Sequence, residues 1–240
     1  MFKKCFKVHN FPIITAIWFT ATYILTYITA VLEGHVSPLF PYISWSGVLP
    51  PESCIFSFLL NMGSVLMFIV IFIRYKLLEL IAELHMPKYL NVCTLGLGVI
   101  SCLGINLVAN FQESYLFMVH VLGALCAFGG ATLYCCIQAW LTWRYDGSSK
   151  FLIIFRIILC VLMVPALFDV FLFGDLAGVQ FNGTQILQWK NEDGGYDFHL
   201  TATISEWIMA LAINIFVFTF ENEFKRINFD GIIFSKKDSF

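Results

Sequence analysis

Residues 200–220 read LTATISEWIMALAINIFVFTF, an apolar run with one ionisable side chain, Glu206. At 1.5 Å per residue, a helix of that length spans about 30 Å, the thickness of a bilayer's hydrocarbon core. A carboxylic acid at such a depth costs roughly 2.5 to 3.5 kcal/mol on insertion scales, so it normally faces a bundle interior or a water-filled cavity and carries a partner. The stretch therefore points to a membrane-spanning helix and to a buried polar site beside it.

Working outward, five further apolar runs occupy residues 11–32, 53–73, 89–111, 115–140 and 151–173. Composition agrees: 59% of residues are hydrophobic, 12% are charged, and phenylalanine occurs 26 times. A soluble chain of this length could not bury six such runs in one core. The expectation is an all-α integral membrane bundle of six transmembrane helices, with residues 1–240 forming one domain that ends in a tail at 221–240. The first run is too long for a signal-peptide core and lacks a small-residue cleavage site, so it reads as a retained signal anchor. Pro51 and Glu52 suit the first turn of the second helix, one by its fixed φ and the other by its charge.

Orientation follows from basic residues. The N-terminus, second loop, fourth loop and tail carry 3, 3, 2 and 4 lysines or arginines, whereas the other three loops carry only Lys190. The positive-inside rule then makes both termini cytosolic. Asn182-Gly183-Thr184, an N-glycosylation acceptor, falls on the lumenal side, where glycans are added. Without a basic face, the chain offers nothing for nucleic acid.

With this orientation, Asn61, Asn106, Asn110, His120, Asp169 and Glu206 all lie in the lumenal half. Asn106 and Asn110 share one helix face, and His120 lies just past the tight turn 112–114, so these three are expected to approach one another. The cluster reads either as hydrogen-bonded packing groups or as a lumen-facing cavity for a lipid headgroup, an ion or a proton, with Glu206 and Asp169 as its charged members. A metal or hydrolase site lacks its motif, there being no H-E-x-x-H, CxxC pair, G-x-S-x-G elbow or phosphate loop, and no cofactor is implied. His35, His120 and His199 fall on or near the lumenal side, where an acidic compartment would titrate them.

The short turn makes the third and fourth spans an antiparallel hairpin, and Gly123, Ala127 and Ala131 facing Gly98, Ser101 and Gly104 are expected to let the two backbones close in. The cysteines within the runs (Cys93, Cys102, Cys126, Cys135, Cys136, Cys160) read as small buried hydrophobes, Cys54 alone lying near the outer surface. Arg156, near the start of the fifth span, can snorkel inward. Cys5 is a palmitoylation candidate, and Lys236-Lys237 sits wrongly for ER retrieval.

Pro41-Tyr42-Ile43-Ser44-Trp45-Ser46-Gly47 followed by Pro50-Pro51-Glu52 resembles the signature of the DRAM family, the damage-regulated autophagy modulators. Residues 27–31, Ser101-Cys102-Leu103-Gly104, residues 108–112, Tyr196 with His199, and Glu206-Trp207 extend the resemblance over nearly the whole chain. The family usually carries an Asp-Thr pair where this chain has Trp45-Ser46. The resemblance implies a non-catalytic, six-span protein of lysosomal or late-endosomal membranes that promotes autophagy, with membrane lipids and proteins of the autophagy–lysosome system as partners. The wider superfamily also resembles proteins of GPI-anchor lipid remodelling and of phosphoinositide-kinase regulation at the plasma membrane. That keeps open a lipid or solute transporter, or a lipid-remodelling enzyme, built around Glu206.

Overall fold

The computed structural model describes residues 7–82 and 86–227. Lys3, Lys4, Cys5, Glu83 and the Lys236-Lys237 pair lie outside the described residues. Among the described residues, six helices are long and apolar enough to cross a membrane. They are α1 (Asn10–Leu32), α2 (Glu52–Ala82), α3 (Lys88–Asn110), α4 (Phe117–Asp146), α5 (Lys150–Gln180) and α6 (Tyr196–Phe218), followed by a short helical turn at Glu221–Phe224. The protein is an all-α, multi-pass membrane protein. An even number of spans puts residues 7–9 and 225–227 on one side, the terminal end; the loops 33–51 and 181–195 cover the other, the long-loop end.

Three helices outrun, at their C-terminal ends, the apolar runs that mark them, α4 reaching Asp146 beyond residue 140. Helix α2 continues through Arg74, Lys76 and Glu79 because these are good helix formers, and Lys76 pairs with Glu79 one turn on at 2.8 Å. Helix α5 likewise runs on to Gln180 past residue 173. Helix α6 is the central post: 61% of its span is buried, against 28–39% for the other five. Ile17, Phe58, Val161 and Phe168 instead point outward and are exposed, giving the bundle an apolar belt for lipid.

Small residues bring α3 and α4 together. A Cβ on Gly104 would sit 2.3 Å from the Ala127 backbone nitrogen, and Ser101 donates to the Ala127 carbonyl at 2.9 Å. Gly98, expected on the same seam, faces α2 instead, where its Cβ would meet Ile71 at 2.6 Å. Helix α4 relaxes into wider π turns at Leu125–Gly129 and Thr142–Asp146. The cysteines also depart from expectation. Among the described residues only Cys102 and Cys135 are buried cysteines; Cys93 is exposed like Cys54, because its side of α3 faces outward.

The largest departure lies at the terminal end. Arg156 does not lie along a lipid-facing surface but is fully buried, bidentate to Glu223 at 2.6 and 2.9 Å and bonded to Thr142 and Thr219. Arg74, which the apolar pattern assigns to a loop, is equally buried and reaches Asp146 at 3.2 Å and Gln138 at 3.0 Å. Arg226 completes the group from the rim, 2.9 Å from Asp146. The Arg156 guanidinium also lies over the rings of Phe216 and Phe220.

Candidate functional site

At the long-loop end, residues 41–47 fold down into the bundle instead of riding over it. Residues 38–51 hold four prolines, which resist helix, while Ile43, Trp45 and Val48 are apolar enough to bury. Two neighbours on α6 hold the segment. Glu206 accepts the Ile43 backbone N–H at 2.7 Å, and the Trp207 indole donates to the Pro41 carbonyl at 2.9 Å. Trp207 is itself seated edge-on against Tyr23 and Tyr27 of α1. Tyr42, between the two clips, meets the rings of Trp45 and His199.

The rest of the motif is placed by the same fold. Ser44 and Gly47 are buried, and a Cβ on Gly47 would collide with the Phe56 ring at 2.3 Å. Glu52, at the start of α2 after a cis Pro50-Pro51 bond, is buried and paired with half-buried His35 at 2.6 Å. Loop 181–195 packs on loop 33–51 through Ser37 N–H to the Leu187 carbonyl at 3.2 Å and through Gln188 to the Gly34 carbonyl. Asn182 lies exposed on loop 181–195.

The six polar residues singled out from depth alone fall into three groups. Asn61 and Asn110 exchange hydrogen bonds at 3.1 and 3.0 Å, with Ser57 and the Asn106 carbonyl completing the set. This group sits between α2 and α3, with Asn110 exposed on the outer face. Asp169 accepts a long bond from Ser205 at 3.4 Å, between α5 and α6. Only His120 and Glu206 share a cavity, and His120 bonds through Nδ1 to the Phe111 carbonyl at 2.7 Å rather than to either asparagine side chain. Because a carbonyl only accepts, Nδ1 carries the proton.

That shared cavity, about 180 Å³, lies beneath the folded segment. Glu113, Glu206, His120, Tyr42, Trp45 and Trp189 line it, with exposed Asp175 also in its wall. Trp45 donates to Glu113 at 2.9 Å and stacks with Trp189 and His199. Burial pushes the Glu113 carboxyl above its ordinary range, against the opposing pull of His120 and of the Trp45 bond. Burial, with Glu206 and Glu113 nearby, also pushes the Tyr42 phenol up. Glu113 is missing from the sequence-derived set because it sits in the 112–114 turn, outside any apolar run. Its only signal is an acid placed at the same membrane face as Glu206.

Among the described residues, no three His, Cys, Asp or Glu side chains are grouped to hold a metal ion. What the fold does bring together is the loop segment 41–47 and the Glu206-Trp207 pair, the stretches that carried the resemblance. The Frag1/DRAM/Sfk1/Cwh43P N-terminal domain family matches residues 8–227.

The chain belongs to that Frag1/DRAM family.

It is 38% identical to DNA damage-regulated autophagy modulator protein 2 of Rattus norvegicus over 222 residues, covering 90% of this chain and 83% of the relative. It is 32% identical to DNA damage-regulated autophagy modulator protein 1 of Xenopus laevis over 226 residues, covering 90% of each. Modulator of macroautophagy TMEM150B of Danio rerio is 30% identical over 94% of this chain and 89% of its own length. No solved structure matches. Trp45 and Ser46 stand in the folded segment, and carboxylates reach the cavity beside it from Glu113 and Glu206.

Proposed function

We propose that this protein is a non-catalytic modulator of autophagy in a lysosomal or late-endosomal membrane, with both termini in the cytosol, acting through protein or lipid contacts. The observation that carries the reading is 38% identity, over 90% of the chain, to a protein named as an autophagy modulator. The clip between Glu206-Trp207 and residues 41–43 supports it, since the resembling segments form one built unit. The proposed orientation rests on the basic residues, which collect at the terminal end.

The test is autophagic flux, measured as lysosomal turnover of a cytosolic cargo in cells lacking the chain and re-expressing it. Re-expression should restore flux, and Trp207→Ala, which releases the folded segment, should restore less. Unchanged flux on removal and re-expression would overturn the reading. Imaging of the tagged protein against lysosomal and plasma-membrane markers decides the compartment. A uniform cell-surface signal would favour the plasma-membrane branch of the family. Asn182→Gln should lower the apparent mass by one glycan, whereas a glycan on an acceptor engineered into the tail would reverse the orientation.

The cavity around Glu206 favours a second reading, a lipid or solute transporter or lipid-remodelling enzyme. Substrate-dependent flux or conversion in proteoliposomes, abolished by Glu206→Gln, would replace the scaffold reading with it.

A further inference from the structure

Two thiols meet on the lipid-facing side of the bundle. The turn at 147–149 folds α5 back along α4, and close to it Arg156 donates to the Thr142 hydroxyl at 2.6 Å, which fixes the register of the two helices. Farther from the turn come Cys136, ten residues from the α4 end at Asp146, and Cys160, ten residues from the α5 start at Lys150. Equal offsets carry both about 15 Å inward, near the middle of a hydrocarbon core about 30 Å thick. Both are half-buried free thiols, and they hydrogen-bond to one another. They line an apolar groove of about 540 Å³ together with Trp140, Trp143, Ile157 and Val161, whose exposed side chains belong to the apolar belt.

Two thiols in contact can become a disulfide, and the helices here have room to give. An S–S bond is about 2.05 Å long, shorter than any thiol hydrogen bond, so the sulfurs must close in slightly. Pro165, in the wall of the same groove, offers no N–H to the Val161 carbonyl one turn back and so loosens α5 beside Cys160. Helix α4 carries a π turn on either side of Cys136. The surroundings also select the oxidant. Free ions are costly in hydrocarbon, whereas a hydroperoxide borne on an acyl chain arrives inside it.

We propose that Cys136 and Cys160 form a membrane-facing dithiol that a lipid hydroperoxide oxidises to a disulfide joining α4 to α5. One sulfur takes the outer oxygen of R–O–OH as the O–O bond breaks, and its thiol proton passes to the departing alkoxide, leaving a sulfenic acid and R–OH. The second sulfur then displaces the sulfenic oxygen, which leaves as water with the second thiol's proton. Two thiols lose two electrons and one hydroperoxide is reduced to its alcohol, with no free ion left in the membrane. The inference stands apart from the autophagy reading and from the cavity at Glu206.

The test uses the full chain, reduced, in vesicles of saturated phosphatidylcholine. One arm adds a phosphatidylcholine hydroperoxide to the bilayer; the other adds hydrogen peroxide to the water at the same total concentration. After free thiols are alkylated, peptide mass spectrometry should find residues 136 and 160 in one linked pair, with one lipid alcohol formed per link. The lipid hydroperoxide should act roughly tenfold faster than hydrogen peroxide, because the thiols open to lipid. A membrane-permeant phosphine should restore both thiols. Cys126, half-buried on α4 but outside the groove, should stay open to alkylation throughout. In Cys136→Ser or Cys160→Ser the remaining thiol should stop at the sulfenic acid, captured by a 1,3-diketone, with the melting temperature of the reduced protein unchanged. Should either variant fail to fold, the link map of the natural chain decides. Thiols that all remain alkylatable, or a link through Cys126 or Cys135 instead, would overturn the proposal. Hydrogen peroxide acting as fast as the lipid hydroperoxide would overturn the assignment of a lipid oxidant.

Discussion

Replacing Glu223 by glutamine should destabilise this protein more than any other single charge removal. Arg74 and Arg156 contribute two positive charges, and Glu223 and Asp146 contribute two negative ones, with every one of these side chains at 0–1% exposure. Glu223 touches both arginines, at 2.6 Å to Arg156 and 3.8 Å to Arg74. Its loss leaves a surplus guanidinium in a dry site, and a guanidinium cannot shed its proton to escape. Breaking a buried pair from one side costs about 3 to 5 kcal/mol, and Glu223→Gln should fall in that range. Arg156→Gln should cost less, because Glu223 retains Arg74 and a carboxylate, unlike a guanidinium, can be neutralised by a proton. Removing the pair together, as Arg156→Met with Glu223→Met, should come within about 1 kcal/mol of the natural chain. The hydroxyls left behind already bond elsewhere, Thr219 to the Phe216 carbonyl and Thr142 to the Gln138 carbonyl. The assay is equilibrium unfolding in mixed micelles under increasing denaturing detergent, read as a double-mutant cycle. A Glu223→Gln variant within 1 kcal/mol of the natural chain, or a double variant costing the sum of the singles, would refute the reasoning.

Further outcomes follow from the long-loop end and the helix seam. Glu206→Leu leaves the buried Ile43 N–H without an acceptor and should cost about 1 to 3 kcal/mol, with earlier proteolysis within residues 33–51, while Glu206→Gln should keep the loop resistant. Gly104→Leu drives a side chain into the Ala127 backbone and should cost about 3 kcal/mol in the same unfolding assay; a loss below 1 kcal/mol would mean that α3 and α4 can part. Since Glu113 is raised from 4.5 by burial, the folded state binds a proton that the unfolded chain releases. Its contribution is therefore full below about pH 4.5 and is lost as pH rises through the folded value. Melting temperatures measured from pH 4.5 to 7 should fall with pH, and Glu113→Gln should flatten that slope. An identical slope in the variant would remove Glu113 as its source.

The ends of the bundle show how far apolar length and charge can be read without coordinates. Six runs long enough for a bilayer, with few charges inside them, dictate six helices, because a backbone in lipid must satisfy its own hydrogen bonds. The tight turn at 112–114 likewise dictates the α3–α4 hairpin, and glycine spacing located part of its seam. Depth is also legible, since each helical residue advances a fixed distance. Rotation and the course of a loop are not. Asn61, Asn110, Asp169 and Glu206 share a depth, but they face different neighbours, and only the packing of α6 at the centre sorts them. Glu113 and Trp189 reach the cavity from loops, whose paths depend on contacts distant in sequence, such as Glu206 with Ile43 across 163 residues. Arg74 and Arg156 look like boundary charges because hydropathy records the ends of apolar runs and not who waits across the bundle.

By itself, then, the sequence determined the number of spans, the acid inside the last of them and the segment 41–47 that accompanies it, all consequences of local composition and period. Only the tertiary structure decided that Glu206 and Trp207 clip that segment into the bundle. It also decided that Glu206 borders both a polar cavity and a smaller apolar one. Those facts depend on how six helices rotate and tilt against one another, and that is set by the sum of many weak side-chain contacts between residues far apart along the chain.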